Sequence, residues 1–206
     1  KIDAMSGILS PGLMASFVLL GIFPLIARKI TAVIKRKKSL STYPRPKKFD
    51  YNLIVIGAGA AGLVTSYIAA TTRARVALIE KHKMGGDCLN TGCVPSKALI
   101  RSAKLLADVR RAGDFGFDGG TMDVDFSRVM ERVRRVIRKI APHDSVERYG
   151  RLGVECLSGE ARVTSPYTVM VNGRLLTTRR IVIATGARPF VPPIPGLDQV
   201  AYLTSD

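Results

Sequence analysis

The feature that most constrains the fold is a glycine-rich turn between two apolar runs. Leu53–Ile56 have the composition of a buried strand, and the turn Gly57-Ala58-Gly59-Ala60-Ala61-Gly62 follows directly. The residues up to about Thr72 favour a helix, and a second strand over residues 75–79 ends at Glu80. Strand, glycine turn, helix and strand in this order are typical of the first βαβ unit of a dinucleotide-binding α/β fold.

The residues of this turn are candidate cofactor contacts. Gly57 permits a tight turn, Gly59 lets the backbone approach a pyrophosphate, and Gly62 allows the helix to pack closely on the strand. Ala60 and Ala61 begin the helix, whose unpaired N–H groups would face the phosphates. The pattern predicts dinucleotide binding, but it does not distinguish FAD from NAD.

The acid at the end of the second strand is a further candidate. Glu80 lies 18 residues after Gly62, where an acidic side chain can bond the ribose hydroxyls of a dinucleotide. We predict that Glu80 and the adjacent Lys81 both contact the cofactor.

A second constraint is the segment from Gly85 to Lys97, GGDCLNTGCVPSK, which contains two of the three cysteines. In a continuous α-helix their Cα atoms would lie about 8–9 Å apart, beyond the ~4.4–6.8 Å that a disulfide needs. A disulfide between Cys88 and Cys93 therefore requires a non-helical loop, which residues 90–92 tolerate. Pro95 then suits the first turn of a following helix.

The two cysteines have different predicted surroundings. Cys93 would lie near a helix N-terminus with Lys97 close by, and both features favour a thiolate. We therefore predict Cys93 to be the more stabilised and more buried sulfur, whereas Cys88 lies earlier, where a substrate can reach it. The pair is interpreted as redox-active.

Two other interpretations of the pair are weaker. A zinc site needs about four nitrogen or sulfur ligands, so we predict no metal site. A purely structural disulfide is the second alternative, and it would be unusual in a reducing cytoplasm. The remaining histidines and cysteine of the chain are His82, His143 and Cys156.

The cysteine segment resembles the active-site signature of class I pyridine nucleotide-disulfide oxidoreductases, the family of glutathione reductase, dihydrolipoamide dehydrogenase and mercuric reductase. Most members have threonine where this chain has Asp87. The run Ala184-Thr185-Gly186, at the end of a buried strand, resembles the second FAD-domain signature of the family. Pro192-Pro193-Ile194-Pro195-Gly196 is similar to the proline-rich exit that follows in such enzymes. The resemblance covers about residues 50–206.

The resemblance implies roles for the site residues. Cys93 would face the flavin of FAD, Cys88 would exchange with the substrate, and Lys97 would lie near the isoalloxazine ring. Beyond the glycine turn, the residues expected to contact FAD are Glu80, Lys81, Gly86, Asp87, Thr185 and Gly186.

The resemblance also implies partners. The substrate would be a small-molecule disulfide or a metal ion, and the full-length protein would be a homodimer. NAD(P)H is expected to bind through a second domain that this chain does not contain. We interpret the chain as a fragment that does not complete a catalytic cycle alone.

The remainder of the chain completes a predicted α/β fold. We expect a Rossmann-like FAD-binding domain over residues 51–206, with a parallel sheet, a crossover helix and a β-meander. Asn172-Gly173 is typical of a hairpin turn. A helix is predicted over 126–140, and strands over 154–157, 161–163, 168–171, 175–178 and within 180–186.

The N-terminal quarter is of a different kind. Residues 7–27 carry no charge and as a helix would span about 31 Å, close to a bilayer core of roughly 30 Å. Basic residues follow, and no acidic residue lies between residue 27 and Asp50, which by the positive-inside rule places the later chain in the cytoplasm. We predict a transmembrane helix with a basic flank over 1–34 and an extended, proline-containing linker over 35–50. A buried core helix and an export signal are the alternatives.

Composition limits the other function classes. The net charge is +16, but aromatic residues make up 6% of the chain and tryptophan is absent, so a base-stacking nucleic-acid surface has little support. The basic side of the predicted helix over 126–140 is interpreted as a solvated face.

Three functions stay open at this level. We favour the flavin and disulfide portion of a reductase anchored in a bacterial inner membrane, with the flavin domain in the cytoplasm. The alternatives are a membrane-tethered flavin electron carrier or redox sensor, and a regulatory flavin domain of a membrane transport protein.

Overall fold

A computed structural model describes residues 11–118 and 122–204. The chain divides into two units, Lys1–Arg45 and Pro46–Asp206.

The first unit consists of one long helix, α1, over Pro11–Ser41. Its apolar side chains are exposed, with Phe17, Leu20 and Phe23 each more than 60% accessible. By length and composition, this helix could cross a membrane. That is weak evidence, because a core helix or a signal sequence passes the same test. Residues 7–10 of the predicted span lie outside the described residues.

The predicted extended linker over 35–50 is partly wrong. Helix α1 continues through Ser41, because the lysines and leucine after residue 34 are good helix formers and the first strong helix breaker is Pro44. The end of the segment belongs to the second unit, where Asp50 accepts hydrogen bonds from the Thr177 backbone N–H (2.9 Å) and hydroxyl (2.8 Å). These bonds hold the pKa of Asp50 below its usual value.

A four-stranded parallel sheet forms the frame of the second unit, in the order β3-β2-β1-β7. This confirms the predicted α/β class. The strands of this sheet are β1 (Leu53–Ile56), β2 (Val76–Glu80), β3 (Val154–Ser158) and β7 (Ile181–Ile183).

Helices make the connections on one face of the sheet. Helix α2 links β1 to β2, and four further helices lie between β2 and β3. The helices are α2 (Ala60–Thr71), α3 (Gly86–Asn90), α4 (Cys93–Arg110), α5 (Phe126–Ile140) and α6 (Val146–Arg151), with short 3₁₀ turns at Ala112–Phe115 and Ala141–Asp144.

A three-stranded antiparallel meander connects β3 to β7, as predicted. The Asn172-Gly173 turn has positive φ at both residues (49° and 76°), as a two-residue hairpin of this type requires. The meander strands are β4 (Arg162–Ser165), β5 (Thr168–Val171) and β6 (Arg174–Thr177).

The parallel sheet separates two apolar clusters. Because side chains alternate along a strand, Ile54 packs with the meander residues Val169 and Val171, whereas Val55 packs with Leu63 of α2. All five side chains are less than 5% exposed. The domain is thus a meander, a sheet and a helical layer, and the sheet is covered on both faces.

Two glycines permit the helical layer to approach the sheet. A Cβ at Gly62 would lie 1.8 Å from the Gly57 carbonyl oxygen, so only glycine fits at this position in the first turn of α2. Gly57 has φ +101°, and a Cβ there would lie 2.3 Å from the Ala184 carbonyl oxygen. This confirms the packing role predicted for Gly62 and the turn role predicted for Gly57.

Candidate active site

The carboxyl ends of three parallel strands form the floor of the site. The Gly57 N–H donates to the Ile79 carbonyl (2.8 Å), and the Ala184 N–H donates to the Ile56 carbonyl (2.8 Å). The glycine turn after β1, the acid at the end of β2 and the turn after β7 are therefore neighbours. Ligands of open parallel sheets bind at this edge.

The N-terminus of α2 fits a phosphate group. Gly59 is its N-cap, and no side chain caps the helix. A Cβ at Gly59 would have only the Gly86 Cα within 4 Å, at 3.9 Å, so the space above Gly59 is open. Ala60 and Ala61 form the exposed first turn, with N–H groups of the kind that bind anions.

Glu80 lies against the glycine turn. Its Oε2 accepts a hydrogen bond from the Ala58 N–H (2.6 Å), and its Oε1 accepts one from the His82 N–H (2.7 Å). A carboxylate oxygen can accept a second hydrogen bond. The ribose contact of Glu80 therefore stays a prediction that is compatible with this geometry.

Lys81 and Asp87 lie at the periphery of this edge. The Lys81 Nζ is 3.7 Å from the Glu160 carboxylate, and both side chains are exposed. Asp87 is exposed in the first turn of α3, and its carbonyl accepts hydrogen bonds from the Thr91 and Gly92 N–H groups (2.9 and 2.5 Å). An acid in this turn also stabilises the helix dipole.

Thr185 and Gly186 follow β7 in an extended loop. Both are exposed, and Gly186 has φ +68°. The backbone contact between Ala184 and Gly57 places this loop beside the glycine turn. The predicted second FAD signature thus shares an edge with the first.

The cysteine segment is docked on the glycine turn. The Gly85 N–H donates to the Ala58 carbonyl (2.9 Å). Gly86, with φ +52°, lies so close that a Cβ there would be 2.7 Å from the Gly59 Cα. The start of α3 is therefore positioned directly by backbone contact with the candidate phosphate loop.

The two cysteines lie on two helices that are separated by Thr91 and Gly92, and not in a loop. Cys88 is within α3, and Cys93 is the first residue of α4, with the helical path broken at Thr91 and Gly92. Asn90 closes α3 by donating its amide hydrogens to backbone carbonyls. The predicted non-helical break between the cysteines is present at Thr91 and Gly92, but Asn90 belongs to α3, so the break is shorter than expected.

The predicted order of burial is wrong. Cys88 is half-buried and Cys93 is exposed. The reason is that the first turn of α4, including Ser96 and Lys97, has exposed side chains, whereas Cys88 faces a cleft beside α2. Helix position alone does not reveal which side of a turn other elements cover.

The two sulfurs interact. The neighbouring Cys93 side chain raises the pKa of Cys88, and burial raises it further. Lys97 acts in the opposite direction through its positive charge, so it lies near the pair as predicted.

The cleft at Cys88 contains residues that the sequence did not single out. It has a volume of about 330 Å³ and is lined by α2, α3 and the segment before β3. Sequence reasoning noted His143 but not its neighbour Asp144, and no local signal relates residue 144 to residue 88. The lining residues are Ala60, Leu63, Val64, Tyr67, Gly85, Cys88, Asp144, Arg148 and Tyr149.

Comparison with known proteins identifies the family to which this fold belongs. The family model of pyridine nucleotide-disulphide oxidoreductases matches residues 51–206. The chain belongs to this family.

The chain is similar in sequence to several named proteins. The chain is 36% identical to mercuric reductase of Bacillus cereus over 76% of its length, and 36% identical to dihydrolipoyl dehydrogenase of Acholeplasma laidlawii over 73%. It is 35% identical to glutathione reductase of a Nostoc species over 73%. The chain spans only 25%, 45% and 32% of the length of these three proteins.

A solved structure is similar in fold. The HOCl-induced flavoprotein disulfide reductase RclA of Escherichia coli superposes with a TM-score of 0.58 at 28% identity. The match covers 72% of this chain and 31% of that protein. The family assignment thus applies to the second unit, which matches less than half of each of these larger proteins.

The interaction between the sulfurs makes the ionisation of Cys88 testable. Cys93→Ala removes the neighbouring side chain that is the largest cause of the raised Cys88 pKa, so Cys88 should ionise at lower pH. In the reduced protein, the pH midpoint for iodoacetamide alkylation of Cys88, followed by peptide mass spectrometry, should fall. Cys156→Ala, on β3, is the control and should leave the midpoint unchanged. A midpoint that stays constant or rises in Cys93→Ala would contradict the interaction.

Proposed function

We propose that this chain is the flavin- and disulfide-bearing part of a membrane-anchored, NAD(P)H-dependent reductase of small disulfides or metal ions. The observation that carries the proposal is the position of the Cys88–Cys93 pair, because the helix of Cys88 begins in backbone contact with the loop that fits a dinucleotide phosphate. FAD, when bound, supplies the two-electron transfer between NAD(P)H and the disulfide.

The residues of the sheet edge support FAD binding. The open space above Gly59 and the uncapped first turn of α2 fit the pyrophosphate. The side chains of Glu80 and Thr185 lie on the same edge. The backbone contact of Gly86 with Gly59 then sets the cysteine helix next to the cofactor loop.

Two glycine variants distinguish cofactor binding from folding. Gly59→Val places a side chain in open space, so the full-length protein should fold but purify without FAD, as measured by its visible absorbance. Gly62→Ala forces a Cβ against the Gly57 carbonyl and should destabilise the fold by about 1–3 kcal/mol or more, measured by denaturant unfolding. A Gly59→Val protein that retains full flavin content would show that the turn is not the cofactor site.

The two thiols have complementary chemical roles in this proposal. The Cys88 thiolate attacks one sulfur of the substrate disulfide, and the departing sulfur takes up a proton. Cys93 then attacks Cys88, which releases the second substrate thiol and closes the Cys88–Cys93 disulfide. The half-buried position of Cys88 at a cleft supports its role as the first nucleophile.

The order of attack can be read by trapping. In Cys93→Ser the resolving thiol is lost, so a mixed disulfide with the substrate should accumulate on Cys88 and be visible by intact mass. Cys88→Ser should accumulate far less adduct, and both variants should lose disulfide-reductase turnover. If Cys88→Ser traps the adduct instead, the roles are reversed. If neither variant loses turnover, the pair is structural and the reductase proposal fails.

The membrane anchor is the second part of the proposal. Helix α1 exposes its apolar side chains, and a basic segment follows them, which by the positive-inside rule leaves the flavin domain in the cytoplasm. The competing explanations of helix α1 are a buried core helix and an export signal.

Extraction tests the anchor. The full-length protein should remain in the membrane fraction after carbonate treatment, and a reporter fused after Asp50 should be cytoplasmic. Replacing Leu19 and Leu20 by lysine costs about 3 kcal/mol per charge at a helix centre and should shift the protein to the soluble fraction. Ser41→Lys, at the end of α1, is the control and should stay in the membrane. Recovery of the unmodified protein without detergent would overturn the anchor.

A further inference from the structure

The cleft at Cys88 combines a reactive sulfur, an apolar wall and two opposite charges. Leu63, Val64 and Tyr67 of α2 form one wall, with Cys88 at its edge. Asp144 and Arg148 lie on the side contributed by the segment before β3. Apart from Cys88 and Gly85, the other lining residues are apolar or aromatic. An apolar cavity with a few polar groups is the usual form of a small-molecule site, and about 330 Å³ lies in the size range of such sites.

The two charged side chains are not neutralised by each other. Within the described residues, no ion pair of 4.0 Å or less includes Asp144 or Arg148. One arm of the Arg148 guanidinium donates to the His143 carbonyl, which orients the group and leaves other N–H donors. Both side chains are half-buried, where a charge interacts more strongly with a ligand than on an open surface.

The position of these charges follows from the fold. Ser145 caps α6 by accepting a hydrogen bond from the Arg148 N–H (3.2 Å), which fixes the turn between Asp144 and Arg148. Tyr149, 4% exposed, anchors this turn in the apolar cluster beneath α2. The two charges are therefore held on a rigid element that lines the same cleft as the sulfur.

We propose that this cleft selects a zwitterionic organic disulfide of the amino-acid type. Arg148 binds the carboxylate through its planar guanidinium, Asp144 binds the ammonium group, and the apolar wall covers the carbon chain. The sulfur of the ligand then lies at Cys88. This proposal rests on the reductase function proposed above and specifies its substrate class. It favours an organic disulfide over a metal cation, which has no carboxylate for Arg148 to bind.

The reaction balances without an additional reagent once the pair is reduced. The S–S bond of the ligand breaks as the Cys88–ligand disulfide forms, and one ligand thiol leaves with a proton. In the second step the Cys88–Cys93 bond forms, and the second thiol leaves. The two electrons that reduce the ligand come from the two cysteine sulfurs.

The test uses the first step alone, which requires neither flavin nor NAD(P)H. The reduced full chain with Cys93→Ser is mixed with one of four disulfides, and the mixed disulfide on Cys88 is followed by intact mass. The probes are cystine (zwitterionic), dithiodipropionate (anionic), cystamine (cationic) and hydroxyethyl disulfide (neutral). Each rate is divided by the rate of the same disulfide with free N-acetylcysteine, which removes differences in intrinsic reactivity.

Each charged side chain is expected to change the normalised rate only for disulfides that carry the opposite charge. Cystine should show the highest normalised rate. Arg148→Gln should slow cystine and dithiodipropionate by about tenfold or more, the size expected for a hydrogen bond to a charged group, and leave cystamine unchanged relative to hydroxyethyl disulfide. Asp144→Asn should slow cystine and cystamine relative to hydroxyethyl disulfide. The matched controls are Arg151→Gln and Glu147→Gln, which change charges of the same helix outside the cleft and should have no effect.

The two proposals fail in different ways. If Cys88 reacts with none of the four disulfides, the proposed disulfide-reductase function is wrong, and the substrate assignment is wrong with it. If Cys88 reacts with all four at equal normalised rates, or if Arg148→Gln slows every probe equally, the charge selection is overturned while the thiol chemistry stands. The neutral disulfide serves in each variant as the check that the cleft and Cys88 are intact.

Discussion

The arrangement of the site depends on the backbone of Ala58. Its N–H donates to the Glu80 carboxylate, and its carbonyl accepts from the Gly85 N–H. One peptide unit therefore joins the acid after β2, the glycine turn after β1 and the start of the cysteine segment. The contact between Gly59 and Gly86 completes this junction, because neither residue has a side chain to separate the two backbones.

The sheet holds this junction rigid because it is buried on both faces. The meander covers the side of Ile54, and α2 and α6 cover the side of Val55. A parallel sheet with both faces covered is the stable form of this architecture. The same packing places α6, which leads into β3, next to α2, so the cleft at Cys88 is a consequence of core packing.

The cysteine pair and the cleft have different electrostatic roles. The neighbouring Cys93 and the burial of Cys88 raise the pKa of Cys88, whereas Lys97 lowers it. Asp144 also raises the pKa of Cys88 slightly, since it is a negative charge nearby. The residues that bind a ligand in this cleft would therefore also influence the ionisation of the nucleophile.

The sequence by itself determined the parts of this protein that depend on local patterns. Strand β1, the glycine turn, helix α2 and the hairpin at Asn172-Gly173 follow from hydrophobic periodicity and from backbone conformations that few residues adopt. The cysteine motif identified the candidate chemistry for the same reason.

The tertiary structure alone decided which side of each element is covered. It reversed the burial of Cys88 and Cys93, and it brought Asp144 and Arg148 to a sulfur more than 50 residues earlier in the chain. Such contacts are set by the pairing of β3 with β2 and by helix packing, and these long-range interactions leave no periodic signal in the sequence.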